Sequence, residues 1–155
     1  MLAVECIKNA KELKKESEAL MNKGAYSRAF FLAYTGLEES AKAILLIQNS
    51  SDMSKINILV DHKMKISEII KIIESHLRSP FPTKDKEILK KRIGQMREDA
   101  LYTRLKPTPN DRYCPDNSYW QKRAKAFIVY LDKYLDDLTE KVQKIFKEYK
   151  KDEPV

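Results

Sequence analysis

Four side chains of this 155-residue chain have the types and settings from which proton transfer or anion binding is built: Glu38, His62, Arg97 and Tyr102. Glu38 lies in the run Gly36-Leu37-Glu38-Glu39-Ser40-Ala41-Lys42, where Glu38 and Lys42 form an i, i+4 pair in the favoured order. Such pairs often do no more than solubilise a helix. Glu38 also shares a row with Phe31, Tyr34, Lys42 and Leu45, beside the main apolar stripe, so a partly buried carboxylate is expected. A charge buried without a role is expensive, which makes Glu38 a candidate for a network or a reaction.

His62 opens a helical stretch and shares a face with positions 66, 69 and 73, where a histidine serves as a core, capping or catalytic residue. The other histidine, His76, follows 14 positions later, roughly 21 Å along a helix at about 1.5 Å per residue, so the two cannot share a metal. Glu-x-x-His pairs of the di-iron kind are missing as well, and neither metal chemistry nor a cofactor is expected. Lys90, Arg97 and Arg104 recur every seven residues along one flank of a third apolar stripe, a row that tracks phosphates or is simply solvated. Five residues turn an ideal helix by about 500°, so Tyr102 points away from that row. It would meet Arg97 only through local unwinding or across a dimer seam. The chain holds no Gly-rich phosphate loop, Gly-x-Ser-x-Gly elbow or Cys/His nucleophile pair.

The elements that must position these residues read as helices throughout. Three glycines and six prolines are too few for the turns of long sheets. The first helix covers about 3–22 and ends at Gly24, and the second runs from about Ala25 to Gln48 with Phe30, Ala33, Leu37, Ala41 and Ile44 at helical spacing. Residues 53–60 are ambiguous between helix and loop. A third helix spans about 61–77, and Ser79-Pro80-Phe81-Pro82 breaks the chain because proline lacks an amide donor and restricts its predecessor. The fourth begins with Thr83 as N-cap and reaches about Leu105 through Leu89, Ile93, Met96, Ala100 and Thr103. Pro107, Pro109 and Pro115 mark a loop, and Ser118 with Gln121 reads as a capping box opening a fifth helix to about Tyr149. The fold class is all-α, an up-and-down bundle of four to five helices in one domain over 1–149, with 150–155 a polar tail.

Composition narrows the partners. Hydrophobic residues are 43% and charged residues 34%, which excludes both a membrane-embedded and a disordered chain. Glu5 and Lys8 interrupt the first apolar run, so no signal peptide is seen, and no stretch approaches a membrane span. Cys6 and Cys114 have no ligand spacing and read as free thiols of a cytoplasmic protein. The net charge is +7, and segment 78–112, with ten basic and five acidic residues, carries +5 of it. A localised excess points to a polyanion, although Lys-rich helices are also common solvated faces.

Taken together, the motifs resemble a known family. Gly24-Ala25-Tyr26-Ser27-Arg28-Ala29 leading to Glu38-Glu39-Ser40-Ala41-Lys42 resembles the second helix of the AbiV-type abortive-infection family. His62-Lys63-Met64-Lys65, in a His-x-x-Lys pattern, and Arg97-x-x-Ala100-x-Tyr102 fit the same family, and the match runs from the first helix to about Arg104. That family is related to the HEPN superfamily of small helical bundles in phage-defence and toxin–antitoxin systems. The resemblance implies a metal-independent ribonuclease site at a homodimer interface, built from an arginine and a histidine four to six residues later, with a polar or acidic residue from an earlier helix. Carried over, Arg97 binds and polarises the scissile phosphate and Glu38 orients it. Tyr102 stands where the histidine belongs, and with a reference pKa of about 10 it is a poor base at neutral pH. His62 could replace it if the fold brings it to Arg97.

Two readings follow from this resemblance. In one, the chain is a phage-defence ribonuclease using Arg97, Tyr102, His62 and Glu38, with Lys90, Arg104, Lys42 and Lys63 contacting RNA. In the other, it is a non-catalytic module that binds RNA, a nucleotide or a protein and blocks it. An antitoxin or a phage protein is a further partner in either.

Overall fold

The second helix is the most apolar of the described helices, and the other helices cover it. In the computed structural model, residues 2–48, 62–78, 80–102 and 117–149 are described, the side chains of Tyr102 and of 145–149 excepted. They form α1 (Leu2–Asn22), α2 (Tyr26–Gln48), α3 (His62–Leu77), α4 (Thr83–Tyr102) and α5 (Asn117–Tyr149), with no strand among the described residues. The all-α bundle predicted from periodicity is therefore the observed fold class. Positions 53–60, Thr103, Arg104, Cys114, the proline-rich stretch before α5 and the tail 150–155 lie outside the described residues. No helix among the described residues is long and apolar enough to cross a membrane.

Helix α2 touches all four other helices, whereas among the described residues α4 touches only α2 and α3. Eleven of its residues are buried, and many are small: Ala29, Ala33, Gly36, Ser40, Ala41 and Ala43. Small side chains let neighbouring backbones approach closely, and Gly36 marks the tightest point. A Cβ placed there would lie 2.5 Å from Leu131 Cδ2 of α5 and 3.4 Å from the Ala10 carbonyl oxygen of α1. Larger aromatic rings fill the rest of the α2–α5 seam. Phe30 packs edge-on against Phe127, with centroids 4.8 Å apart, and lies 5.3 Å from Trp120. Since Phe30 meets Trp120 and Phe127 while Gly36 meets Leu131, α5 runs in the same sense as α2, so the helices do not alternate strictly up and down as the sequence suggested.

The turn between α1 and α2 is set by Gly24, whose φ of +74° is the left-handed conformation that glycine adopts without penalty. The Ala25 amide donates to the Leu20 carbonyl and the Gly24 amide to the Met21 carbonyl, the pair of bonds of a Schellman cap. The Ala25 carbonyl then accepts from Ala29, so α2 starts at once and α1 folds back along it. Ser17 completes the join with a buried bond of 2.7 Å to the Ala29 carbonyl.

Two predicted caps differ from what is found. The Pro82 carbonyl accepts from Asp85 and Lys86, so Pro82 flanks α4 and Thr83 is its first helical residue. Proline suits that position because the amide it lacks would have no helical partner there. Ser118 lies inside α5, which already includes Asn117, and Gln121 donates to the Tyr26 hydroxyl at 3.4 Å, tying the start of α5 to that of α2. The connection between α3 and α4 is fastened by Glu74. Its carboxylate accepts from Lys86 Nζ at 2.8 Å and from the Phe81 amide at 2.6 Å.

Two expectations follow from this architecture. Alanine usually gains about 1 kcal/mol over glycine inside a helix, but overpacking a filled core costs about 1–3 kcal/mol. Leu131 is fully buried, so the second effect wins at position 36. Gly36→Ala should lower unfolding stability by up to about 2 kcal/mol in urea titrations. A raised midpoint would mean that Leu131 repacks freely. The hydrogen bond from Lys86 and then that from the Phe81 amide hold the Glu74 carboxyl below the ordinary glutamate range. A carboxyl with a lowered folded-state pKa adds stability above its unfolded value and loses it as pH falls through the folded one. Acid unfolding should therefore be shallower in Glu74→Gln than in the parent chain between about pH 5 and pH 3.

Candidate functional site

A helix buried on several sides has little room for charge, and α2 nevertheless turns Glu38 inward at 6% exposure. Three elements meet its carboxylate. From its own helix one turn earlier, the Tyr34 hydroxyl donates to Oε1 at 3.2 Å. From the first residue of α3, His62 Nδ1 stands 3.3 Å from the same oxygen. From α4, Arg97 Nε lies 4.0 Å from Oε2. The fold thus brings Glu38, His62 and Arg97 together, although 24 and 59 positions separate the latter two from Glu38 in the chain.

The three partners differ in exposure, and that difference sets what each can do. Tyr34 is fully buried, and its phenol is pushed far above its ordinary pKa, first by desolvation and then by the Glu38 charge. It is a permanent proton donor to the carboxylate. The His62 side chain is 61% exposed, so it is not part of the core that its helical row suggested. An Nδ1–H tautomer donates to Glu38 and leaves Nε2 as an acceptor at the surface. The Arg97 side chain is 31% exposed, and its Nε is buried with no hydrogen-bond partner. A separation of 4.0 Å gives attraction but no hydrogen bond.

Magnitudes indicate what this arrangement is worth. Two charges 4 Å apart attract by about 4 kcal/mol at an effective dielectric near 20, whereas burying one ion costs several kcal/mol. The Arg97 contact alone does not recover the cost of burying Glu38. Hydrogen bonds to a charged group add about 1.5–3 kcal/mol each, so Tyr34 and His62 make the carboxylate tenable without making it a source of stability. The cluster thus leaves an exposed imidazole and an incompletely bonded guanidinium beside one buried carboxylate.

The remaining candidates are distributed differently. Lys42 pairs with Glu39, not with Glu38 as the i, i+4 spacing predicted, and buried Cys6 of α1 adjoins that pair. The reason is that Glu38 is engaged from the other side. Lys90 reaches Glu87 at 2.7 Å, so its charge is matched within α4. Lys63 is exposed beside His62. The backbone stays helical from Arg97 through Tyr102, so no unwinding brings these two positions onto one face, while the Tyr102 side chain and Arg104 lie outside the described residues. His76 packs edge-on against Tyr130, ring centroids 5.0 Å apart. No group of three His, Cys, Asp or Glu side chains among the described residues could hold a metal ion.

Sequence reasoning placed Tyr34 on the Glu38 row but gave it no role. The available signal was its spacing, four residues before a carboxylate on the same buried face. Glu38→Ala strands the Tyr34 hydroxyl in the core, at a cost of about 1–3 kcal/mol. Glu38→Gln keeps an acceptor there and should cost less. Urea unfolding of both variants checks the order, and equal losses would mean that the hydroxyl does not depend on this acceptor.

The family model described as AbiV, a HEPN family, matches residues 1–129. No curated protein and no solved structure matches the chain. The match takes in α1 to α4, hence Tyr34, Glu38, His62 and Arg97, and the chain belongs to the AbiV family of HEPN-like proteins.

Proposed function

We propose that this AbiV-family chain, an abortive-infection protein by its family, cuts RNA without a metal and does so as a homodimer in the cytoplasm. The observation that carries the reading is the Glu38 carboxylate lying between His62 and Arg97. In RNA cleavage the 2′-hydroxyl attacks the adjacent phosphorus and the 5′-oxygen leaves. The site must take a proton from the first oxygen, neutralise charge on the phosphorane and return a proton to the second. With Nδ1 directed at Glu38, His62 offers Nε2 as the base. Arg97 offers guanidinium donors to the phosphorane oxygens. Glu38 orients both.

One such site holds one imidazole, and two-step proton traffic is easier with two. A homodimer would supply a second copy of each group. Leu101, one turn beyond Arg97, is 41% exposed and Met64, two residues beyond His62, is 37% exposed. Apolar side chains left in water next to charged ones suit a contact between subunits that adjoins the site. Lys63, exposed beside His62, is proposed as an RNA contact, and an antitoxin or phage protein as the regulator of the assembly.

The second reading, a module that binds RNA or a partner and blocks it without cleavage, is favoured by one observation. Helix α4 remains regular through Tyr102, so the position where HEPN ribonucleases carry histidine is turned about 140° from Arg97. The readings separate in one experiment. Purified protein incubated with RNA in EDTA should yield 2′,3′-cyclic phosphate ends, with activity reduced about 10²–10⁴-fold in His62→Ala and at least about 10²-fold in Arg97→Ala. Light scattering should give about twice 18.1 kDa. RNA that stays intact but binds less tightly to Arg97→Ala would establish the binding module.

A further inference from the structure

Arg97 Nε is buried and has no acceptor, although a carboxylate oxygen lies only 4.0 Å away. A buried N–H without a partner is costly, and a modest rotation about the outer bonds of Glu38 would supply one. The terminal torsion of glutamate is broad, so nothing intrinsic to the side chain opposes that rotation. Something else keeps Oε2 away from Arg97, and the surroundings of Oε1 identify it. The Tyr34 hydroxyl is bonded to Oε1 at 3.2 Å, and Tyr34 is immobilised in the core against Phe30 and Phe127, at centroid distances of 6.3 and 6.4 Å. A carboxylate is rigid and planar, so fixing one oxygen restricts the other.

We propose that Tyr34 is a positioning residue that acts through Glu38: by holding Oε1, it turns that oxygen toward His62 and keeps Oε2 from closing on Arg97. This rests on the reading of the cluster as a phosphate-handling site, and it explains how Arg97 stays near a carboxylate without being clamped by it. A guanidinium closed on Glu38 would have to exchange that bond for one to an RNA phosphate. Held at 4.0 Å, it is oriented by the charge and keeps its donors for the ligand. The phenol suits this task because it stays protonated across the pH range of proteins, so the restraint does not come and go with titration. Neither Phe31 nor Leu45, which share its row, could supply a donor.

Tyr34→Phe removes the hydroxyl and keeps the ring contacts. In ¹⁵N-labelled protein, the Arg97 Nε–H resonance, identified by its loss in Arg97→Lys, should move downfield in Tyr34→Phe, with exchange slowed about tenfold, as Glu38 closes on it. Affinity for a single-stranded oligoribonucleotide should fall about tenfold alongside. In the double variant Tyr34→Phe/Glu38→Gln the downfield shift should vanish, because no carboxylate remains to close. An Arg97 resonance unchanged by Tyr34→Phe, or a shift that persists in the double variant, overturns the assignment. If the resonance moves as expected and RNA affinity does not, Tyr34 stands as the residue that positions Glu38, and the RNA reading of the site fails. Should Tyr34→Phe not fold, the hydroxyl is a structural requirement and the assignment falls with it.

Discussion

The rest of the structure depends on burying a carboxylate in the one helix that every other helix touches. Helix α2 cannot expose Glu38 without also exposing the apolar rows beside it, so the charge must be met from within. A tyrosine on the same helix, the first residue of α3 and an arginine from α4 supply what water would have supplied. Because those groups come from three elements, satisfying Glu38 also fixes where α3 and α4 lie against α2. The site and the packing of two helices are thus one arrangement.

The other side of α2 follows a different rule. Toward α1 and α5 the requirement is closeness, met by alanines, by Gly36 under Leu131 and by the serine hydroxyls of Ser17 and Ser40 returned to backbone carbonyls. Aromatic rings enter along the stretch from Phe30 to Tyr34, where Trp120 and Phe127 pack against them. The α1–α2–α5 unit is dense and nearly devoid of buried charge, whereas the side facing α3 and α4 carries the polar groups. One helix therefore separates a closely packed apolar side from a polar one.

Much of this was legible in the sequence because periodicity and punctuation are local. The helices fall within a few residues of their predicted spans, since Gly24, the prolines around Phe81 and the apolar spacing each act on their neighbours. Glu38, His62 and Arg97 could be singled out by residue type. Their meeting could not be read, since 59 positions separate the ends of the set and no spacing rule reaches that far. Local rules also misdirect where a third partner intervenes. Glu38 and Lys42 have ideal spacing, but Glu38 is held by other groups and Lys42 goes to Glu39. His62 sits on an apolar row yet is exposed, because it is the first residue of its helix and the carboxylate it meets lies at the margin of the core.

The modest anchoring of α4 has a consequence for when the site exists. This helix brings Arg97 to Glu38, and among the described residues it touches only α2 and α3 and buries only Ile93 and Ala100. Local opening requires less free energy where fewer apolar contacts must be undone. Detaching α4 from α2 would therefore take Arg97 away from Glu38 with the loss of few buried apolar contacts. Any contact that presses α4 against α2 would raise the fraction of molecules in which the cluster is assembled.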